Sequence, residues 1–172
     1  MLPAAKLLRA GAGLARALVE RAAAVTLDWD VRQKSRFDCT DSRGRHLGVF
    51  LPRGTVLRGG DVLVAQDGSL IRVIAAAQPV LVITPCREHA TACDLTRAAY
   101  HLGNRHVALE LAPDHLKIEP DHVLAAMVRA MGLDVSEQLA AFEPEAGAYG
   151  AHGHAGGHHH GGPHGHEHHG GH

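Results

Sequence analysis

The chain has 172 residues, 45% hydrophobic and 3% aromatic, with 17 basic and 18 acidic side chains and 16 histidines. That suits one medium domain or two small ones with an aliphatic core, while a net charge of −1 argues against a protein built to hold nucleic acid by charge. No run of 18 apolar residues is available to span a membrane, and the three cysteines, Cys39, Cys86 and Cys93, none in a Cys-x-x-Cys spacing, indicate neither a disulfide scaffold nor a thiolate zinc site.

Residues 4–22 read as helix, with Leu7, Leu8, Leu14, Leu18 and Val19 on one face. Arg9, Arg16 and Arg21 also suggest a transit peptide, but Glu20 and the lack of serine argue against one. From Val25 short strands are expected. Val25, Leu27 and Trp29 alternate with Thr26, Asp28 and Asp30 in the period of a half-buried strand. Arg36–Thr40 and Leu47–Leu51 flank a turn at Asp41–Gly44, and Val62–Val64 and Leu70–Ile74 flank Gln66-Asp67-Gly68-Ser69, a hairpin signal. Tight turns between neighbouring strands imply antiparallel pairing, so residues 25–76 read as a small all-β unit.

The second half changes period. Pro79–Pro85 reads as a buried strand bounded by prolines, and residues 88–102 as a helix with Ala92, Leu95, Ala99 and Leu102 on its stripe and Gly103 as its stop. Val107–Leu111 and Leu116–Ile118 read as strands. Pro120 starts a second helix whose apolar face is Val123, Leu124, Met127, Val128 and Met131, ended by Gly132. A last strand runs from Leu133 towards Phe142. The order β-α-β-β-α-β is the ferredoxin-like pattern. The fold class is therefore α+β, with an N-terminal β domain (1–76), a ferredoxin-like domain (77–146) and a tail (147–172).

That tail holds ten Gly and ten His with Glu167 as its one charged residue, leaving 17 basic and 17 acidic residues in the rest of the chain. With no aliphatic side chain larger than Ala it cannot bury a core and is expected to be disordered without a ligand. A purification tag is the bland alternative; tags are usually an unbroken hexahistidine, and the longest run here is His158-His159-His160. The remaining tail histidines are His152, His154, His164, His166, His168, His169 and His172. Pairs such as His152-Gly153-His154 and His164-Gly165-His166 place two imidazoles within reach of one ion without any fold. Imidazole takes nickel, copper, zinc and cobalt, so the tail marks metal without choosing which.

Outside the tail lie His46, His89, His101, His106, His115 and His122. His46, His89 and His115 have no partner at ligand spacing and read as surface or structural residues. His101 sits in the last helical turn, where the dipole favours a cation. His122 reads as an exposed first-turn residue, and with His101 it is at most a weaker metal ligand. His106 ends the run Tyr100-His101-Leu102-Gly103-Asn104-Arg105-His106, a helix end and a polar loop that displays its side chains. One imidazole is a poor metal site, but a twofold axis brings a residue against its own copy, so a homodimer would turn one His106 into two ligands.

From about Val25 onward the chain resembles the urease accessory nickel metallochaperones, the UreE family. The matching pieces are Leu51-Pro52-Arg53-Gly54, Leu57-Arg58-Gly59-Gly60-Asp61-Val62-Leu63, the run Tyr100–Val107, Asp121-His122-Val123-Leu124, Phe142–Tyr149 and the His-rich tail. The resemblance implies a peptide-binding-like β domain and a ferredoxin-like domain through which the protein forms homodimers. It also implies that His106 binds nickel with its symmetry mate at that interface. Some members carry a peripheral metal pair; one position matches His122 and the other falls at Pro120, so this chain lacks half of that pair. Members begin with a short strand, expected here near Leu7–Arg9.

The function read from this is a cytoplasmic nickel metallochaperone, not an enzyme, handing Ni(II) to apo-urease through the urease accessory GTPase and the urease apoprotein complex. It would also take Zn(II), Cu(II) or Co(II) in vitro. No nucleophile–base constellation is visible, and no G-x-x-x-x-G-K-[ST] phosphate loop occurs, so GTP hydrolysis would belong to a partner. The rival readings are a nickel or zinc storage protein acting through its tail, and a peptide-binding co-chaperone acting through residues 25–76.

Overall fold

A computed structural model describes residues 1–86 and 92–146, excepting the side chain of Ala92. The chain is α+β, with a sheet-rich N-terminal part and an αβ C-terminal part. In the first, β1 (Leu2–Leu8), β2 (Ala23–Leu27), β3 (Arg36–Thr40), β4 (His46–Phe50), β5 (Val62–Ala65) and β6 (Leu70–Ala75) form a sheet of order β2-β6-β5-β1-β4-β3. The β3–β4 and β5–β6 hairpins pair antiparallel as their turns require, with left-handed Gly44 and Gly68 in the turns. Two other pairs run parallel, β1 with β4 inside the sheet and β2 with β6 at one edge, so the unit is not purely antiparallel. Val25, Leu47, Val49, Leu57, Leu63 and Ile71 form its core.

Two expectations fail here. The helix expected over residues 4–22 is strand β1, a loop containing left-handed Gly11 and Gly13, and a short helix α1 (Arg16–Arg21). The apolar residues Leu7 and Leu8 pair with Leu63 and Val62 of β5 instead of lining a helix, because the sheet offers them partners that no local pattern reveals. Trp29 is not in a strand either. Asp28 accepts a hydrogen bond from the Val31 N–H at 2.9 Å and so starts a single helical turn, α2 (Trp29–Arg32). These two short helices mean that the N-terminal unit is sheet-rich but not all-β.

The C-terminal part runs β7 (Ala77–Pro85), α3 (Ala92–Gly103), β8 (Glu110–Leu111), β9 (Leu116–Ile118), α4 (His122–Ala130) and β10 (Leu133–Ala141), with sheet order β10-β7-β9-β8. The strand expected over Val107–Leu111 shrinks to two residues. Helix α4 begins at His122, two residues later than expected: Pro120 lies outside it, and Asp121 caps it, accepting from Val123 and Leu124 N–H at 2.8 and 2.9 Å. Strand β7 explains its unbroken apolar run by being buried on both faces. Leu81 and Ile83 pack under α3 and α4 with Leu95, Leu102 and Val128. Val80 and Val82 face the other way, onto Trp29 and Phe142.

That second face joins the two parts. Arg32 is fully buried and donates to Leu27 O (3.1 Å), Leu57 O (3.4 Å), Phe142 O and Glu143 Oε1 (2.8 Å). Glu143 also accepts from Gly59 N–H and Arg58, and the Arg32 guanidinium lies 5.4 Å from the Trp29 ring. Burial lowers the Arg32 pKa, opposed by the Glu143 carboxylate. No described helix is long and apolar enough to cross a membrane.

Candidate metal centre

Helix α3 carries its hydrophobic face inward through Leu95, Ala98 and Leu102, which leaves its end free to present polar groups. The helix terminates in a Schellman motif. Val107 N–H bonds to Leu102 O at 3.3 Å and His106 N–H to Gly103 O at 2.9 Å. The motif needs one left-handed residue, and glycine normally fills that place because it has no Cβ to clash. Here the position is His106, with φ 57°, the one non-glycine with positive φ among the described residues. Gly103, three residues earlier, does not supply the turn; it is the last residue of the helix itself. The packing that goes with the motif is present: Leu102 is buried and Val107 packs against the same cluster.

The outcome is an exposed imidazole held in a conformation that a side chain resists. It stands on a cavity of about 410 Å³ lined by Gly103, His106, Val107, Leu109, Leu111 and Glu145. Ala146, the last described residue, lines the same cavity, so the chain enters the tail beside His106. The extended segment that returns here is pinned: Glu145 N–H bonds to Leu109 O at 2.8 Å, and Glu143 N–H to Glu110 Oε2 at 2.6 Å.

The other histidines are placed apart from this centre. His101 is half-buried on α3, edge-on to the Tyr100 ring at 5.4 Å. His122 is exposed in the first turn of α4, beside Pro120 and with Asp121, Arg129 and Glu137 around a cavity of about 260 Å³. The Asp121 carboxylate already serves as the helix cap. His46 Nδ1 lies 3.2 Å from Thr40 Oγ1, and His115 Nδ1 lies 2.7 Å from Asp114 Oδ1. The His115 hydrogen bond lowers the Asp114 pKa. His89 and the tail residues His152, His154, His158, His159, His160, His164, His166, His168, His169 and His172 lie outside the described residues.

Among the described residues no three His, Cys, Asp or Glu side chains converge within one chain. Cys39 and Cys86 are half-buried and Cys93 is exposed, all as free thiols. Burial pushes the Cys39 thiol up, with Asp38 and Asp41 adding to the effect. A raised pKa suppresses the thiolate that a metal would need. Glu145 was not singled out by sequence reasoning. Its neighbourhood with His106 arises only because the segment after β10 returns along Leu109. The local signal was its place in the run Phe142–Tyr149, two residues before the tail.

Comparison with known proteins adds the following. The profile described as UreE urease accessory protein, N-terminal domain matches residues 4–76, and that described as UreE urease accessory protein, C-terminal domain matches residues 78–172. The urease accessory protein UreE of Polaromonas naphthalenivorans is 70% identical over 154 residues, covering 90% of this chain and 74% of its own. That of Methylibium petroleiphilum is 72% identical over 156 residues, covering 89% and 72%. That of Verminephrobacter eiseniae is 62% identical over 169 residues, covering 98% of this chain and all of its own.

Proposed function

The chain belongs to the UreE urease accessory protein family, and on that premise we propose that it is a nickel metallochaperone: a non-enzymatic homodimer that carries Ni(II) to apo-urease during assembly of the urease metallocentre. The observation that carries this reading is His106, an exposed imidazole kept at a left-handed position where glycine would fit with less strain. A side chain retained against backbone preference points to a functional use. Twofold symmetry doubles the imidazole, and the dimer is held by the C-terminal parts.

The tail works with this centre. His152 lies six residues beyond Ala146, and six extended residues span about 20 Å. Tail imidazoles therefore reach the ion at His106 and also collect further ions in weaker sites. Nickel is the cargo; Zn(II), Cu(II) and Co(II) bind the same donor types in vitro. The C-terminal part is read as ferredoxin-like, supported by its element order and by the β10-β7-β9-β8 sheet. The domain limits proposed are 1–76, 77–146 and 147–172. The N-terminal sheet docks the urease apoprotein complex and its accessory GTPase, in the cytoplasm.

The test is nickel titration and urease activation with His106→Gly. It should lose the tightest site, one ion per dimer, and impair activation, while the apo protein remains dimeric. Retention of that site would overturn the reading. The tail's ten histidines favour a second reading, metal storage. Deleting the tail separates the two: a chaperone keeps delivery with reduced capacity, whereas a storage protein loses its role.

A further inference from the structure

We propose that Glu145 is a second metal-ligating residue of the His106 centre, so that the twofold-related pair offers two imidazoles and two carboxylates. This rests on the reading of His106 as the nickel site and adds a ligand to it. Three observations carry it. His106 and Glu145 line one cavity, whose other walls include Val107, Leu109 and Leu111. Glu145 is exposed and makes no ion pair among the described residues, so its carboxylate is not already engaged there. Its backbone, however, is firmly placed. The N–H is bonded to Leu109 O, Pro144 before it is buried, and Glu143 is clamped by Arg32 and Arg58. A fixed backbone that brings an unengaged carboxylate to the same cavity as an exposed imidazole makes Glu145 a candidate donor.

The chemistry closes on this donor set. A single chain supplies two ligands, which agrees with the absence of any group of three among the described residues. Symmetry makes four, the usual minimum for a borderline divalent ion. Two carboxylates also cancel the charge of Ni(II), whereas two neutral imidazoles leave it whole. A neutral assembly suits a cavity with apolar walls, where an uncompensated charge would be costly. Carboxylate and imidazole together favour Ni(II) or Zn(II) over Cu(I), which prefers sulfur ligands.

The experiment uses the full-length protein with Ni(II) alone, in competition with a chelator and at loadings up to one ion per dimer. Wild type is compared with Glu145→Ala, Glu145→Asp and His106→Gly, with X-ray absorption at the same loading. Glu145→Ala should weaken the first ion by at least about tenfold, the scale of losing even an indirect partner of a metal ligand. It should also lose the carboxylate contribution to the absorption spectrum, without changing apo unfolding. Glu145→Asp should recover part of both. If Glu145→Ala binds the first ion as wild type does, or weakens it with an unchanged carboxylate contribution, while His106→Gly loses it, Glu145 is no ligand and the His106 reading survives. If His106→Gly also keeps the first ion, both fall.

Discussion

At the scale of single residues the left-handed His106 sets an unusual relation between fold and use. Holding a residue with a Cβ in that region costs on the order of 1 kcal/mol relative to glycine. His106→Gly relieves that strain but adds glycine's larger loss of conformational freedom, so apo stability is expected to stay level or rise by less than about 1 kcal/mol, although the exposed imidazole is removed. Chemical denaturation of the metal-free protein measures this, and a loss of stability would show that the imidazole serves the fold. Asp41 illustrates the opposite relation. It is buried in the β3–β4 turn, where desolvation by itself would raise its pKa. Hydrogen bonds from Arg45 and Arg43 N–H at 3.0 and 2.9 Å, and from Arg45 Nε at 2.8 Å, outweigh that and hold the pKa below its usual value. A lowered folded-state pKa stabilises above the unfolded value and is lost as pH falls through the folded one. Asp41→Ala should therefore cost about 1–3 kcal/mol at neutral pH, with the difference from wild type shrinking below about pH 4. Urea unfolding at several pH values reads this directly.

At the scale of elements, ends decide more than middles. Helix α4 owes its start to the Asp121 carboxylate, which satisfies two N–H groups that the helix cannot. Asp121→Ala is expected to cost about 1 kcal/mol of stability and to leave the tightest nickel site intact. A loss of that site in this variant would place the ion near His122 instead. Periodicity made α3 and α4 legible, an unbroken apolar run made β7 so, and turn residues made the two hairpins so, because each of these signals is written locally. The same reasoning misplaced Trp29 and residues 4–22, because Asp28 as a cap and β5 as a sheet partner are not periodic signals.

At the scale of the whole molecule, the buried Arg32 ties α2, Leu57 and the segment after β10 together. Removing its guanidinium leaves three carbonyl oxygens and the Glu143 carboxylate without that donor. Arg32→Ala should cost about 3–5 kcal/mol, seen as a lower midpoint in thermal or denaturant unfolding, and Arg32→Lys should recover little of it because an ammonium cannot reproduce the fork. The proposed nickel loading should have its own pH limit. Imidazoles with ordinary pKa near 6.5 are protonated in acid and lose the lone pair, so capacity should fall below about pH 6. Equilibrium dialysis from pH 8 to 5 measures it; capacity unchanged at pH 5 would exclude imidazole as the main donor.

Composition and spacing alone determined the α+β class and the change of period in mid-chain, and marked the His-rich tail and His106 as candidate metal ligands, because each is carried by residues close together in sequence. Only the tertiary structure decided that β1 is a strand between β4 and β5, and that a buried arginine joins the two parts. It also decided that His106 takes the left-handed place Gly103 was expected to govern, and that Glu145 shares its cavity. Those outcomes depend on contacts between distant segments, where burial and hydrogen bonding outweigh local preference and leave no repeat in the sequence to read.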